Sequence, residues 1–563
     1  MKVLRWIFLV LFLLVITFSL IVYFAFKEKG IGKNSILKIT ISGEIQEYCP
    51  SFTFPFIFGK KKLCLYDYVR IIQDAAKNPK IIGLYLRIKP FSIGSGKIEE
   101  LVKAIEEFNK SKKKSFAYTE TFGEFGPANG AFWLASSTNK IYINPDGEVN
   151  LLGINAEVPF LRGTLDKLHI FPDLYHIAEY KTAMNLFTEK EFTEAHKEME
   201  ESLVNSIFEN MVSSISKLRN INKDELVDII DKGPLLGEEA LKLKLVDGLL
   251  YEDEIENKLK EIAGGNDYEI VPDSKYILKP KIAKDKIALI FGMGGIYVGQ
   301  SDESPFGGTP GMGSETIAKY FKNAREDKSI KAVIFRVDSG GGSAIASEII
   351  RRELILTKKE KPVVVSMSDV AGSGGYWVSM SANSIIAQKS TITGSIGVVV
   401  GKFNMRGFWE YLIGITFDKV KKGAQADFYS SLQNFTPEQK EILNKMMAKI
   451  YDEFVLNVSK ERNISEEEVR KIAKGRVWTG AQALNLKLID KIGGYKEAIE
   501  EAKKLANIPE EREVQIVIFP KKKSFMEIFN QNEESEIEIL LRSYLLKNLP
   551  FGPLWCPYRI TLN

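Results

Sequence analysis

The sequence predicts an α/β protein with two tandem copies of one unit behind a single N-terminal membrane helix. Three observations predict this: an apolar run at residues 6–26, a colinear internal repeat, and β-branched runs that alternate with helical patterns. The 563 residues are 45% hydrophobic and 27% charged, which excludes a disordered or multi-span membrane protein. A net charge of +4 gives no case for nucleic-acid binding.

The N-terminal run is long enough to span the ~30 Å hydrocarbon core of a bilayer. A cleaved signal peptide is the alternative, but its apolar core is usually shorter and ends in small residues. Here the run ends in YFAFK (23–27). We therefore expect an uncleaved, single-pass anchor within residues 1–35. Its N-terminus would lie in the cytoplasm, and the body would lie outside the cytoplasmic membrane, on the periplasmic side.

The internal repeat sets the expected domain boundaries. Three pairs of segments carry it: ILKITISGEI (36–45) with IALIFGMGGI (287–296), NGAFWLAS (129–136) with SGGYWVSM (373–380), and GEEALKLKLVDG (237–248) with GAQALNLKLIDK (480–491). We predict a first unit over 36–263, a second over 285–506 and a C-terminal tail over 507–563.

Within the second unit, KAVIFRV, KPVVVSM and NSIIAQ predict buried strands, because short β-branched runs are typical of parallel sheets. Residues 343–358 carry apolar residues at helical spacing, with Ser343 as the expected N-cap. Residues 193–220 and 436–463 predict a longer helix in each unit. Strands that alternate with crossover helices predict a parallel α/β sheet.

Two glycine-rich loops of the second unit, DSGGGS (338–343) and DVAGSGGYW (369–377), carry the candidate chemistry. The second presents Ser373 on a strand-to-helix turn, which suits nucleophilic attack, and backbone N–H groups there can hold an oxyanion. Plain turns or a phosphate site are the alternatives, although neither loop fits GxxxxGK[ST]. Ser373 lies opposite Asn129 in the repeat, so one copy alone keeps a nucleophile.

A serine nucleophile needs a base, and the second unit contains no histidine. A lysine serves if burial and neighbours lower its pKa from about 10.4 toward about 7–8. Lys181, in IAEYKTAMNLF (177–187), lies among apolar and small residues and is the better candidate. Lys421 and Lys422 lie in KVKKG, a pattern typical of a solvated charge run.

The anchor, the duplicated unit, both glycine loops and TITGSIG (391–397) together resemble the signal peptide peptidase A (protease IV) family in its long, two-unit form. The resemblance covers roughly residues 36–506 and implies a Clp-protease/crotonase-like fold in each unit. It implies a Ser/Lys dyad, with Ser373 as the nucleophile and Lys181, in the YKSA-type motif YKTA, as the general base. Ser395 would orient the lysine amine, and the N–H groups of Gly374 and Gly341 would form the oxyanion hole.

The resemblance also implies a partner and a location. It implies a bowl-shaped homotetramer on the outer side of the cytoplasmic membrane that cuts remnant signal peptides, with a preference for small or apolar side chains. It implies no metal or organic cofactor. The place of the lysine in the second unit falls near Ala426, so the dyad would be divided between the two units.

Two other functions stay open at this point. A crotonase-like acyl-thioester enzyme would use paired N–H donors to hold an enolate, with a CoA-binding surface and no role for Ser373. A catalytically silent membrane scaffold would hold Lys181 and Ser373 far apart. The sequence also leaves open whether Cys49 and Cys64, 15 residues apart, form a disulfide.

Overall fold

The computed structural model describes residues 31–49, 63–278, 282–301 and 311–520, together with the strand Leu554–Trp555. The anchor expected at residues 6–26 lies outside these ranges. Within them, no helix combines the length and the apolarity that a membrane crossing requires.

Each unit contains a parallel sheet, and the strand order is the same in both. The first sheet runs in the order Gly248–Leu249, Lys140–Ile143, Lys114–Thr119, Ile81–Ser92, Ser35–Glu44 and Glu269–Pro272. The second runs in the order Lys491–Ile492, Ser384–Ala387, Val363–Gly372, Ile330–Ser339, Lys286–Met293 and Gln515–Phe519. Val363–Gly372 also pairs in parallel with Ile392–Gly394, which pairs antiparallel with Val477–Thr479. The buried strands expected from KAVIFRV, KPVVVSM and NSIIAQ are therefore confirmed.

The last strand of each sheet lies beyond the limits that the repeat suggested. Glu269–Pro272 pairs with the first strand of unit one, and Gln515–Phe519 pairs with the first strand of unit two. The sheets therefore extend past residues 263 and 506, and the start of the expected tail belongs to the second sheet. Both are short edge strands, of four and five residues, and they lie outside the segments that the repeat aligns.

The helices cover the sheets and follow the same order in both units. In the first unit they are Leu65–Lys77, Ser95–Lys110, Asn129–Ser136, Glu194–Arg219, Lys223–Ile230, Gly237–Lys242 and Ile255–Ala263, with the short Arg162–Lys167 and Asn185–Thr188 between them. In the second unit they are Ser314–Glu326, Ala344–Lys358, Gly374–Trp377, Pro437–Arg462, Glu466–Ile472, Gly480–Asn485 and Tyr495–Leu505. The N-cap expected at Ser343 is confirmed, because its Oγ accepts a hydrogen bond from the Ala346 N–H at 3.3 Å.

A hydrophobic core joins the two units. Leu289, Ile334 and Val364 from the second sheet pack into the same buried cluster as the strands and helices of the first unit. A separate cluster, built around Phe335, Val365 and other apolar side chains, lies on the opposite face of the second sheet. The first unit therefore covers one face of the sheet that carries the glycine loops.

A strand of the first unit also crosses to the second unit. Phe171–His176 pairs antiparallel with Val399–Asn404, and Lys181 follows five residues later. In addition, Leu554–Trp555 pairs antiparallel with Gly341–Gly342 in the DSGGGS loop. Cys49 and Cys64 form a disulfide, which answers the question that the sequence left open.

Candidate active site

Ser373 lies on a strained turn between strand Val363–Gly372 and the helix that begins at Gly374. Its φ of 55° and ψ of −115° place it in a region that non-glycine residues rarely adopt. The turn is held by a 2.8 Å hydrogen bond from the Ser373 N–H to the Gly394 carbonyl oxygen, and the residue is fully buried. A serine fixed in this way presents its hydroxyl at the end of the sheet, as a nucleophile requires.

The crossing strand Phe171–His176 brings Lys181 to this serine. Lys181 Nζ donates hydrogen bonds to Ser373 Oγ at 3.0 Å, to Ser395 Oγ at 2.8 Å and to the Ser395 carbonyl oxygen at 2.9 Å. The lysine is 1% exposed. Residues 192 positions apart in the sequence therefore meet in one buried cluster, whereas the silent-scaffold hypothesis required them to lie far apart.

The loop 474–476 supports both Lys181 and Ser395. The Ser395 N–H donates to the Arg476 carbonyl oxygen at 2.8 Å, and the Tyr180 N–H donates to the Lys474 carbonyl oxygen at 3.1 Å. Gly475 has a φ of +79°, and a Cβ there would lie 2.6 Å from both the Cα and the N atom of Lys181. Sequence reasoning missed Gly475, because the dipeptide KG recurs at 232–233 and does not distinguish the two units.

Tyr180, next to the lysine, is fixed by a surface cluster. Its hydroxyl donates to Glu198 Oε2 at 2.6 Å, and this bond raises the pKa of Tyr180. Arg476 donates to the other oxygen of Glu198 at 2.7 Å and lies 4.8 Å from the centre of the Tyr180 ring. The backbone on the N-terminal side of Lys181 is therefore held from two directions.

The two glycines assigned to the oxyanion hole lie against each other. A Cβ on Gly374 would lie 3.1 Å from Gly341 Cα. Gly374 is the first residue of its helix, so its N–H has no acceptor within the helix. The Gly341 N–H donates to Ser339 Oγ at 3.1 Å, so the second expected donor is engaged within its own loop.

The corresponding positions of the repeat do not form a second site of this kind. Asn129, opposite Ser373, donates from Nδ2 to the Gly153 carbonyl oxygen at 2.8 Å and accepts the Leu152 N–H at 3.0 Å. Lys421 donates to Asp427 at 3.0 Å with 40% of its side chain exposed, and Ala426 is exposed. Over the described ranges, no three histidine, cysteine, aspartate or glutamate side chains are grouped to hold a metal.

Comparisons with known proteins show which family the chain belongs to. Residues 107–265 and 355–509 each match Peptidase family S49, one match in each unit. "Serine protease SPPA, chloroplastic" of Arabidopsis thaliana is 32% identical over 506 residues, which cover 88% of this chain and 72% of that protein. "Protease 4" of Salmonella typhi is 34% identical over 460 residues, which cover 79% of this chain and 72% of that protein.

The similarity to solved structures is weaker. The match to ClpP1 from Listeria monocytogenes covers 37% of this chain and 92% of that protein, with 11% identity and a TM-score of 0.24. The family matches cover more than half of the chain, and the two relatives extend across both units. The chain is therefore a serine peptidase and belongs to peptidase family S49.

Proposed function

We propose that the chain is an endopeptidase in which the Lys181 amine activates the Ser373 hydroxyl. The observation that carries this proposal is the 3.0 Å contact between Nζ and Oγ in a buried site. An amine removed from water loses the solvation that favours its charged form, and the neutral amine is the form that accepts a proton. A Ser/Lys dyad divided between the units follows.

Ser395 gives the amine its direction in this proposal. Its carbonyl oxygen and its Oγ accept two of the amine hydrogens, at 2.9 and 2.8 Å. In the neutral amine, this arrangement leaves the lone pair of Nζ for the hydroxyl of Ser373. Ser395 is therefore a positioning residue, and its own φ of 53° is held by the loop that also supports Lys181.

The proposed reaction passes through an acyl-enzyme. Ser373 Oγ bonds to the scissile carbonyl carbon while its proton moves to Lys181 Nζ. The C–N bond then breaks, and the proton passes from Nζ to the leaving amine. Water attacks the resulting ester, giving one proton to Nζ, which returns it to Ser373 Oγ as the acid leaves.

The oxyanion formed in both steps would be held by the Gly374 and Gly341 N–H groups. Gly341 fills this role once its N–H exchanges Ser339 Oγ for the oxyanion. The strand Leu554–Trp555 on Gly341–Gly342 supports binding of the substrate as an added antiparallel strand, because that pairing uses backbone groups common to all peptides.

The proposed substrates are remnant signal peptides and other apolar peptides at the outer face of the cytoplasmic membrane. The apolar run at residues 6–26 supports an anchor that keeps the enzyme at the bilayer from which such peptides leave. A relative from Enterococcus faecium, named "Putative signal peptide peptidase SppA", is 34% identical over 191 residues, which are 34% of this chain and 55% of that protein. We also propose that the chain assembles as a homotetramer.

The dyad is tested on the full chain in detergent with a leucine-rich signal peptide as substrate. Ser373→Ala and Lys181→Met are each expected to lower kcat by at least about 10³-fold, because the two groups act as one unit. Lys421→Ala is the matched control, since this lysine pairs with Asp427 instead, and it should retain wild-type activity.

Thermal unfolding of each variant separates loss of catalysis from loss of folding. Activity retained by Lys181→Met would show that another group is the base. Activity retained by Ser373→Ala would refute the peptidase mechanism at this site.

A further inference from the structure

The first unit places its own glycine loop, residues 93–97 (IGSGK), against the active-site loops of the second unit. Lys97 lies in the first turn of helix Ser95–Lys110 and is 3% exposed. Its Nζ lies 2.7 Å from Asp338 Oδ2 and 3.1 Å from Asp369 Oδ2. Its backbone N–H also donates to Asp369 Oδ1 at 2.9 Å. One residue of the first unit therefore bridges two carboxylates of the second.

Those two carboxylates are the first residues of the two catalytic loops. Asp338 begins DSGGGS, three residues before Gly341, and Asp369 begins DVAGSGGYW, four residues before Ser373. Asp338 Oδ1 also accepts the Val370 N–H at 3.2 Å, which links the two loops directly. The spacing between nucleophile and oxyanion donors therefore depends on how these two carboxylates are held.

The glycines of the 93–97 loop are explained by this contact. A Cβ on Gly94 would overlap the carboxyl group of Asp369, and a Cβ on Gly96 would lie 3.0 Å from the Ser368 carbonyl oxygen. A side chain at either position would move the first unit away from the nucleophile loop. The loop keeps its glycines although its own unit has Asn129 in place of the nucleophile.

The charges around Lys97 show why a cation is needed there. Burial raises the pKa of Asp369, and Asp338 raises it further, whereas Lys97 lowers it. Burial also raises the pKa of Asp338, but Lys97, the Val370 N–H and Arg336 together hold that pKa below its ordinary value. The neighbouring cation, Arg336, is engaged by Glu47 at 2.9 Å and by Glu100 at 3.3 Å. Lys97 is therefore the cation that directly contacts both carboxylates.

We propose that Lys97 is a positioning residue for catalysis, which fixes the nucleophile loop and the oxyanion loop relative to each other by bridging Asp338 and Asp369. This inference rests on the proposed peptidase mechanism. The first unit then supplies two parts of the site: Lys181 next to Ser373, and Lys97 beneath the loops that carry Ser373 and Gly341.

The test is Lys97→Met in the full chain, with Lys103→Met as the matched control. Lys103 lies on the same helix and also forms an ion pair with the second unit, 2.5 Å from Glu497, but it contacts neither loop. We expect Lys97→Met to lower kcat by about 100-fold at alkaline pH with little change in KM, because a displacement of about 1 Å costs that much. Lys103→Met should leave kcat unchanged.

The dependence of kcat on pH tests whether Lys97 acts by bridging Asp338 and Asp369. Without the amine, Asp338 and Asp369 face each other as two anions, Asp369 buried and Asp338 partly buried, and a shared proton is what relieves their repulsion. The ratio of variant to wild-type kcat should therefore rise as the pH falls. Adding Asp369→Asn to Lys97→Met removes one charge, so it should restore kcat by about tenfold and make that ratio independent of pH.

Hydrogen exchange separates this inference from the proposed function. Peptides that span 338–343 and 369–374 should exchange faster in Lys97→Met and not in Lys103→Met, whether or not the chain cleaves a peptide. Wild-type kcat and wild-type exchange in Lys97→Met would overturn the inference, as would equal losses in the two lysine variants. If Lys97→Met does not fold, the test uses Lys97→Met combined with Asp369→Asn. If this double variant folds and its ratio of variant to wild-type kcat still depends on pH, the inference is overturned.

Discussion

Gly475 shows how closely the backbone must approach the proposed base. A methyl group there would lie 2.6 Å from the Cα and N atoms of Lys181, well inside van der Waals contact. We therefore expect Gly475→Ala to displace the amine and to lower kcat by about 100-fold. Steady-state kinetics on a signal peptide measures this.

Gly423→Ala is the control for Gly475→Ala. Gly423 also has a positive φ, +102°, but the nearest atom to its added Cβ is 4.0 Å away. Both substitutions carry the cost of alanine in a left-handed conformation, about 1–2 kcal/mol. Only Gly475→Ala should lose activity, and equal losses would assign the effect to backbone strain rather than to Lys181.

The sequence identified the residues of the proposed dyad better than the residues that support them. Ser373 stands out because glycines surround it and the other copy has Asn129, and Lys181 stands out by its apolar, YKTA context. Gly475 and Lys97 carry no such signal, because their contacts are made with loops far away in the sequence. The engagement of the Gly341 N–H by Ser339 is a further detail that depends on loop geometry alone.

At the level of the elements, the repeat preserves an ion pair between the end of a helix and the residue that precedes a strand. Arg219 lies 2.9 Å from Asp247, and its counterpart Arg462 lies 2.6 Å from Asp490. Each arginine stands one residue before a left-handed Asn that ends the long helix, and the motif RNI occupies both places, at 219–221 and 462–464.

Asp247→Asn tests the contribution of this ion pair to stability. Burial raises the pKa of Asp247, but Arg219, Lys140 and the Ile141 N–H together hold the pKa below its ordinary value. A depressed pKa in the folded state stabilises the protein above the unfolded pKa of about 3.9, and the gain is lost as the pH falls through the folded pKa. We expect Asp247→Asn to lower the free energy of unfolding by about 2 kcal/mol at pH 7.

Urea denaturation at pH 7 and at more acidic pH measures this difference. The gap between wild type and Asp247→Asn should shrink as the pH falls below about 4. Asp146→Asn, at an exposed turn of the same unit, should match wild type throughout. A gap that is independent of pH would show that the substitution acts through packing and not through charge.

Elements with strong periodicity were predictable, and those defined by their partners were not. The buried strands and the long helices follow from β-branched runs and from capped, periodic segments. The edge strands Glu269–Pro272 and Gln515–Phe519 are short, and each pairs with one strand of the sheet. The crossing strand Phe171–His176 depends on a partner more than 200 residues away, which local pattern does not reveal.

At the level of the complete chain, one strand pair links the two units, whereas the corresponding segments of the repeat form no such pair. The strand Phe171–His176 of the first unit pairs with Val399–Asn404 of the second. The repeat places 416–421 opposite the first of these strands and 155–160 opposite the second. Neither counterpart forms a strand, although both lie in described parts of the chain. A single chain therefore carries both segments of a second strand pair that does not form within it.

A second copy of the chain can complete this strand pair in a head-to-tail contact. Residues 416–421 of one chain would then pair with 155–160 of the next, and repetition of this contact closes a ring if the rotation allows it. Exposed apolar side chains at Tyr411, Ile413 and Val420 lie in or just before segment 416–421, and they support burial of this segment in an assembly. This is the physical support for the proposed homotetramer.

Val420→Glu tests the assembly, because it places a charge in segment 416–421, which is expected to pair with the next chain. We expect the wild-type chain to sediment in detergent at four times the mass of one chain, and Val420→Glu to sediment as smaller species, since an unpaired charge in an apolar contact opposes association. Ile282→Glu is the control, because Ile282 is 90% exposed and lies between the units, outside both segments of the proposed strand pair. A tetramer that survives Val420→Glu would place the contact elsewhere, and a monomeric wild type would refute the assembly. Since Lys181 already reaches Ser373 within one chain, Val420→Glu should separate the subunits while each keeps its dyad distance.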